Sequence, residues 1–320
     1  MFGLTYPVMT APMNLHSGGT LAGAVSAAGG LGSFGGIHLS GDPDWVHEQA
    51  AIVRARTDRP FAVGFVTCFI PAVEPLFEAA LAERPAAMAL SFGDPGPYAQ
   101  RCRAAGVRVI CQVQSADQAD VAVAAGADVL VAQGNEAGGH TGTMAMLPLL
   151  AAVVSRHPDI PTLAAGGLAD GRSLAAALTA GADGAWLGTA FLATPEAIEV
   201  DDAYKQSIVE SDGTDTVFTR VYDIMGGLPW PPGIGERVRR NSFTDSWGDR
   251  EPELRACREE LVATAAALPE GERDDLANRE ILFGQSARSV STIRPAAEVL
   301  RTISEDAERT LRERPRLLLG

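Results

Sequence analysis

Short apolar runs alternate with alanine-rich amphipathic segments from the N-terminus to about residue 195. This alternation is typical of βαβ units, in which each strand is buried on both faces and a helix returns the chain to the same edge of the sheet. Eight such units predict an α/β fold of the TIM (β/α)8 barrel type, with functional residues at the carboxyl ends of the strands. The predicted strands are residues 8–11, 31–34, 61–65, 87–91, 108–113, 129–132, 162–165 and 185–187.

The pattern changes after Phe191, where the chain becomes more polar and carries the cluster Pro229-Trp230-Pro231-Pro232-Gly233. We expect a smaller, mainly helical cap inserted after strand eight, at residues 196–284. The last predicted helix, at residues 295–314, has apolar positions at helical spacing and is expected to pack on the barrel as its eighth helix. The predicted barrel domain therefore comprises residues 1–195 and 285–320.

A doubly wound open sheet is the alternative fold, because Gly30, Gly32 and Gly35 match the spacing of the dinucleotide-binding fingerprint. In that fingerprint the glycines follow a strand and open a helix. Here they flank and interrupt the second predicted strand. Their position therefore indicates tight turns at the two ends of a barrel strand and argues against a Rossmann turn.

Composition limits the classes of partner. The net charge is -14 at pH 7 and there is no long Lys/Arg run, which argues against nucleic acid and against an anionic membrane surface. Because no signal sequence and no apolar run near the ~18 residues of a membrane span are found, we expect a soluble, cytoplasmic protein. A small neutral or anionic metabolite is the expected partner. The oligomeric state stays open, with a homodimer as one candidate.

The four cysteines form no C-x-x-C pair and no spacing typical of a zinc site. Their pattern predicts buried, reduced thiols and no metal centre.

Residues 133–142 place one histidine among glycines directly after the sixth predicted strand. The glycines let the backbone approach a planar ligand, and His140 is the only side chain at the tip of this segment that titrates near neutrality. We predict an active-site loop with His140 as its catalytic residue. His16 and His38 also follow predicted strands and are further candidates for substrate contact.

A second glycine turn, Gly166-Gly167, follows the seventh predicted strand and precedes a predicted helix at residues 172–180. Free N–H groups and the positive end of the helix dipole attract anions at a helix N-terminus. The sequence therefore predicts a phosphate held over Gly166 and Gly167 by the start of this helix.

Four motifs, in this order along the chain, resemble those of the nitronate monooxygenase family, formerly called 2-nitropropane dioxygenases. They are Ala11-Pro12-Met13, residues 132–140, residues 165–171 and Leu187-Gly188-Thr189-Ala190-Phe191. The resemblance extends into the predicted cap, at residues 227–231 and 240–244, and to Gly284-Gln285-Ser286. It covers nearly the whole chain.

The resemblance implies a TIM-barrel flavoprotein that binds FMN and uses O2 to oxidise alkyl nitronates, in some members nitroalkanes, to a carbonyl compound and nitrite. It implies that His140 acts as a base or as a donor to the nitro group. In this reading Gly167 and residues 186–189 would hold the phosphate, and Gln112 would bond the pyrimidine edge of the flavin. The implied cofactor-binding residues are Met13, Gly64, Gln112, Gln133, Gly138, Gly139, Gly166, Gly167, Trp186, Leu187, Gly188 and Thr189.

Two positions depart from the family pattern. Gly64 stands where several relatives carry an asparagine that contacts the flavin, so that side-chain hydrogen bond is absent here. Asn135 stands where relatives often have a bulkier residue. Both changes bear on the substrate more than on the cofactor.

Two other functions remain open from the sequence. An FMN-dependent enoyl-acyl-carrier-protein reductase would share the barrel and take hydride from NAD(P)H, and a cluster of Arg237, Arg239 and Arg240 would receive its acidic carrier protein. A non-catalytic flavin-binding scaffold would bind FMN without oxidising any nitronate.

Overall fold

The strands of the computed structural model, which describes residues 1–267 and 278–319, form two sheets. Eight strands are parallel and build the barrel, and the other three form a small antiparallel sheet. All eight barrel strands predicted from the sequence are confirmed, with ends that differ by at most one residue. The strands are β1 (Val8–Thr10), β2 (Gly32–Gly35), β3 (Phe61–Val66), β4 (Ala87–Ser91), β5 (Arg108–Val113), β6 (Val129–Gln133), β7 (Gly139–Thr141), β8 (Thr162–Ala165), β9 (Gly184–Leu187), β10 (Thr216–Thr219) and β11 (Gly235–Arg239).

The large sheet closes on itself. Its strand order is β1-β9-β8-β6-β5-β4-β3-β2, and a parallel bridge between Met9 and Leu31 joins the first strand to the last. This closure gives a TIM barrel and rules out the open doubly wound sheet. Gly32 lies inside β2, where an added Cβ would stand 1.8 Å from the carbonyl oxygen of Ala22. The glycine is therefore needed for the close approach of a helix to this strand.

Helices surround the barrel and build most of the cap. Three of their N-termini are capped by polar side chains, since Asp42, Ser115 and Asp170 accept backbone N–H groups of the first turn. The helices are α1 (Gly19–Ala28), α2 (Pro43–Arg56), α3 (Glu74–Ala82), α4 (Gly96–Ala104), α5 (Ala116–Ala125), α6 (Met146–Arg156), α7 (Gly171–Thr179), α8 (Thr189–Leu192), α9 (Asp202–Glu210), α10 (Val221–Gly226), α11 (Ser242–Trp247), α12 (Glu251–Ala267) and the C-terminal helix (Ala296–Leu319), with 3-10 helices at Thr67–Ala72 and Gln285–Ser289.

The C-terminal helix completes the outer ring of the barrel. It packs against α7 and α1, which is the place of the eighth helix that the sequence predicted. Its apolar stripe includes Val299, Leu300 and Ile303, all buried, whereas Leu311 near its far end is 36% exposed. The helix also runs past its predicted end at residue 314.

The barrel interior is narrow and filled by small side chains. One buried cluster lies inside the ring of strands and consists largely of alanines and β-branched residues, with Trp186 as its largest member. A larger cluster lies between the strands and the surrounding helices. The bulk of the hydrophobic burial is therefore outside the ring of strands.

The cap follows strand eight of the barrel and is mainly helical, as predicted. Its helices α10 and α12 share a small core of Val221, Ile224 and Leu254. The division into residues 1–195 and 285–320 against 196–284 stays a prediction, and residues 268–277 of that cap lie outside the described residues. Among the described helices, none combines the length and apolar character needed to cross a membrane.

The four cysteines are free thiols. Cys102 and Cys111 are buried as predicted, whereas Cys68 and Cys257 are half-buried. Burial raises the pKa of Cys102 and of Cys111 to about 12. These two thiols therefore stay protonated and serve as apolar core residues.

A substitution on the C-terminal helix tests its role as a barrel element. Leu300 is fully buried, so we expect Leu300→Ala to lower the free energy of unfolding by about 2–5 kcal/mol. The matched control is Leu311→Ala on the same helix, which should cost no more than about 0.5 kcal/mol. Urea denaturation measures both variants, and equal small losses would show that this helix does not complete the barrel.

Candidate active site

A cavity of about 440 Å³ opens at the carboxyl ends of the barrel strands. Ligand sites of TIM barrels lie at this face, and the volume falls within the range of small-molecule pockets. Residues that end or follow the strands line its base, among them Ala11, Ser91 and Ala165. The cap covers part of the opening with Leu228 and Trp230.

Most of the site residues expected from the sequence meet at this cavity. His140 and ten of the twelve implied cofactor-binding residues line it: Met13, Gln112, Gln133, Gly138, Gly139, Gly166, Gly167, Trp186, Gly188 and Thr189. Gly64 and Leu187 are outside the lining. Gly64 lies beneath Pro12, whose Cγ would stand 2.2 Å from an added Cβ, and Leu187 is buried in the core between strands and helices.

The other two candidate histidines occupy different places in the structure. His16 lines the cavity, where its ring lies 5.5 Å from that of Tyr204. His38 is not in the cavity lining and stacks on Trp45 with ring centroids 4.7 Å apart.

The segment that carries His140 is a strand and not the free loop that the sequence suggested. Its residues form β7, which pairs antiparallel with cap strand β11, and His140 lies directly opposite Glu236. Two side chains also hold the segment from the barrel side. Gln133 Nε2 donates to the carbonyl oxygen of His140 at 3.0 Å, and the Thr141 hydroxyl donates to the carbonyl oxygen of Gly134 at 3.0 Å. The backbone of His140 is therefore fixed between barrel and cap.

The imidazole of His140 is held on a nitrogen and on a face. Nε2 lies 2.8 Å from Oδ1 of Asp223, a buried residue of α10. The ring stacks on Trp230, with centroids 3.6 Å apart and planes inclined by 13°. Because a carboxylate only accepts hydrogen bonds, it places the ring proton on Nε2. Nδ1 bonds no group among the described residues and is left as the basic nitrogen.

Neither Asp223 nor Trp230 was expected at the site from the sequence. Asp223 follows His140 by 83 residues and belongs to no motif that was recognised. Trp230 was noticed only as part of a proline-rich cluster and of the family-like residues 227–231. That cluster was the available signal, because an aromatic residue among prolines at the edge of a cap commonly packs on a neighbouring surface.

Asp223 and Glu236 also form, with His140, a group of possible metal ligands. One ligand atom from each residue lies within 4.8 Å of the others. Glu236 is 0% exposed. The sequence predicted no metal centre, and its cysteine spacings could not have revealed this group, which contains no cysteine.

The predicted anion site at the start of α7 is wrong in one respect. The carboxylate of Asp170 already caps this helix, accepting the backbone N–H of Ser173 at 2.8 Å, and its other oxygen accepts the hydroxyl of Ser289 at 2.8 Å. A second anion at the same helix end would meet like charge. Gly166 and Gly167, both with positive φ, still line the cavity with backbone.

The polar side chains of the cavity differ in how far they are already bonded. Besides its bond to His140, Gln133 accepts the amide of Gln114 at 3.0 Å, and Thr189 Oγ1 accepts the backbone N–H of Gly284 at 3.0 Å. Gln112 makes no side-chain hydrogen bond to the described residues. It is therefore the side-chain amide most available to a ligand.

The expected cluster of three arginines does not form one surface. Arg237 is buried and donates from Nε to the carbonyl oxygen of Asn135 at 2.7 Å. Arg239 donates to Ser207 Oγ at 2.9 Å, and only Arg240 is well exposed. These side chains therefore do not supply the docking site for an acidic carrier protein that the alternative function required.

The fold and the cavity define a capped TIM-barrel protein with a small-molecule site at the carboxyl face. The model of the nitronate monooxygenase family matches residues 1–75 and 76–306. The chain belongs to the nitronate monooxygenase family, which confirms the resemblance seen in the four motifs.

Similar proteins agree with this assignment. The nitronate monooxygenase of Pseudomonas aeruginosa is 32% identical, with 96% of this chain and 97% of that protein covered. FabK from Thermotoga maritima superposes with a TM-score of 0.85 at 32% identity, over 98% of this chain and 96% of that one. Nitroalkane oxidase from Streptomyces ansochromogenes has a TM-score of 0.79 at 26% identity, over 99% of each chain.

Hydrogen exchange tests whether the His140 segment is a strand in solution. Amides in paired strands exchange only when the pairing opens. We expect residues 139–141 and 235–239 to exchange slowly and together, because β7 and β11 open as one unit. The exposed turn at residues 39–42 is the reference for a free loop, and exchange of residues 139–141 as fast as that turn would contradict the pairing.

Proposed function

We propose that the protein binds FMN in this cavity and uses O2 to oxidise alkyl nitronates to a carbonyl compound and nitrite. The observation that carries the proposal is the imidazole of His140, bonded to Asp223 and lining a cavity at the carboxyl face of a nitronate monooxygenase barrel. The structural likeness to a nitroalkane oxidase supports extending the substrates to neutral nitroalkanes.

The residues of the cavity fit a flavin mononucleotide. Gly188 lies at the cavity wall beside Met13, where an added Cβ would be in van der Waals contact with the Met13 sulfur at 3.4 Å. The backbone of Gly166 and Gly167 turns into the cavity with φ of +95° and +72°, which suits close approach to a phosphate. The unbonded amide of Gln112 suits the polar edge of a flavin. Residues 1–267 and 278–319 contain no Rossmann turn for an adenine half, which favours FMN over FAD.

Bound FMN would supply the redox chemistry, taking up the electrons of the substrate and passing them to O2. The protein side chains then have three tasks: to bind the substrate, to keep water out and to move its proton. Apolar side chains of the cavity, including Phe65, Phe69 and Leu228, suit the alkyl part of a nitronate. Small alkyl nitronates are therefore the proposed substrate class.

The proton task falls to His140. With a neutral nitroalkane, Nδ1 takes the proton from the carbon that bears the nitro group, and the C–H electron pair moves onto the nitro oxygens. The imidazolium that forms keeps its Nε2–H bonded to the Asp223 carboxylate, which stabilises the positive charge. With a preformed nitronate this proton is already gone, and His140 instead positions the nitro group.

The decisive experiment follows the colour of the purified protein. The proposal expects a yellow protein that releases FMN on heating, is bleached by a nitronate without oxygen, and yields nitrite when oxygen is admitted. Rapid bleaching by NADH or NADPH with no response to a nitronate would favour an enoyl-acyl-carrier-protein reductase. Bound flavin that responds to none of these would favour the scaffold.

Substitution of Gly167 tests the phosphate site. An added Cβ at this cavity-lining position lies 3.4 Å from Cβ of Glu136, so a carboxylate here adds negative charge beside the proposed phosphate site, and we expect Gly167→Asp to lose most of its flavin. The matched control is Gly106→Asp, because Gly106 has a similar φ of +74° and no heavy atom within 4 Å of an added Cβ. Both variants carry the same backbone strain, and only the first lies in the cavity. Flavin absorbance per chain is the measurement, and equal flavin content would move the phosphate elsewhere.

Comparison of two substrates tests His140 as the base. A positioned base contributes ~100- to 10,000-fold to proton transfer, and only a neutral nitroalkane needs this step. We expect His140→Ala to lower kcat/KM for the nitroalkane by a much larger factor than for the nitronate. Equal losses would assign His140 to binding, and no loss with either substrate would remove it from the mechanism.

A further inference from the structure

The carboxyl group of Glu236 lacks hydrogen-bond donors in a fully buried position. Glu236 lies on β11 directly opposite His140 and is 0% exposed. Among the described residues, neither of its oxygens makes a hydrogen bond of good geometry, although the Glu280 carboxyl and the backbone N–H of Tyr222 are close to it, and Oδ2 of Asp223 is also unbonded. Buried polar atoms in folded proteins are almost always bonded. Three acceptor oxygens without donors in one buried group therefore need an explanation.

Two ionised carboxylates beside one imidazole would leave negative charge buried and unpaired, which is strongly unfavourable. One added proton removes this problem, since a protonated carboxyl group is a donor as well as an acceptor. Burial, then a side-chain hydrogen-bonding contact with Glu280, and then the charges of Glu280 and Asp223, raise the pKa of Glu236 to about 11, while the backbone N–H of Tyr222 lowers it. The groups that face it are His140 on β7, Tyr222 and Asp223 on α10, and Glu280.

We propose that Glu236 is a carboxylic acid that donates its O–H to Oδ2 of Asp223, so that Glu236, Asp223 and His140 form one hydrogen-bonded chain. Oδ2 of Asp223 is the preferred acceptor because it is buried and unbonded, whereas Glu280 is exposed and can be solvated. Oδ1 of the same aspartate accepts Nε2–H of His140. Both oxygens of Asp223 are then used, and its carboxylate cannot rotate away from the imidazole.

This chain gives Glu236 and Asp223 the role of positioning residues. By holding the proton itself, Glu236 leaves Asp223 ionised. An ionised Asp223 keeps the ring proton of His140 on Nε2 and leaves Nδ1 free as the base. The inference rests on the proposed function in this one respect, that the orientation of His140 matters for turnover.

A divalent cation is the competing explanation, because the same three residues could ligate one. The 2.8 Å contact between Nε2 and Oδ1 is a hydrogen-bond distance and already uses the ring nitrogen that would face such an ion. A proton satisfies the same oxygens without breaking that bond. The geometry therefore favours the proton.

Two substitutions at Glu236 test whether its side chain acts as a hydrogen-bond donor or as a negative charge. Glu236→Gln keeps a donor for Oδ2 of Asp223 but cannot ionise, whereas Glu236→Leu has a similar size and no donor. Nitrogen NMR of histidine-labelled holoprotein without substrate reports which ring nitrogen carries the proton. We expect the Gln variant to keep the proton of His140 on Nε2 and the Leu variant to distribute it over both nitrogens. With a neutral nitroalkane, which needs the base, kcat of the Leu variant should be about ten- to a hundredfold below that of the Gln variant, with flavin content equal in both.

Carbon NMR of glutamate-labelled protein observes the proposed proton directly. We expect one protonated carboxyl signal at neutral pH in the wild type that disappears in Glu236→Gln. The control is Glu308→Gln on the exposed side of the C-terminal helix, which should leave that signal unchanged.

Three results would overturn the inference: no protonated signal in the wild type, equal effects of Gln and Leu on both the tautomer and kcat, or binding of added Zn2+ that requires Glu236. Failure of the proposed function is distinguishable from these. If the wild type oxidises no nitronate while both NMR results are as expected, the hydrogen-bonded chain is supported and the proposed activity is wrong.

Discussion

The pairing of β7 with β11 is the interaction on which the candidate active site depends. Residues 138–142 contain three glycines, and a glycine backbone loses more conformational entropy on ordering than any other. Pairing with a cap strand fixes this backbone through main-chain hydrogen bonds and sets His140 opposite Glu236. The same cap contributes Asp223 and Trp230, which hold the imidazole on one nitrogen and one face. The histidine therefore comes from the barrel, but its orientation comes from the cap.

Charge and apolar surface are distributed unequally around the cavity. Aromatic and aliphatic side chains line much of its wall, while the carboxyl groups of Asp223 and Glu236 near His140 are buried. Electrostatic interactions are stronger in such a low-dielectric setting, and an unpaired charge is correspondingly costly. In the proposed arrangement, the proton carried by Glu236 therefore leaves the His140 imidazole neutral and able to act as a base.

The outcome of the sequence interpretation differed between the strands and the site. The barrel strands were found because each is a short apolar run. A strand that is buried on both faces must be apolar along its length, and this can be recognised in the local sequence. His140 was found because it stands among glycines at a strand end. Arg237 and Asp170 show the limit of local patterns. Arg237 was expected on a charged surface, yet it is buried against the carbonyl of Asn135, and Asp170 occupies the helix end that was assigned to a phosphate.

The sequence by itself determined the closed barrel, the edge at which the cavity opens and the family of the chain, since these follow from the apolar periodicity, from glycines at strand ends and from ordered motifs. Only the tertiary structure decided what surrounds His140. Asp223 lies 83 residues further along the chain, and nothing in its neighbours marks it as a partner of a histidine. The bonding of an imidazole and the protonation of a carboxyl group depend on burial and on contacts between distant residues. Those quantities exist only once the chain is folded.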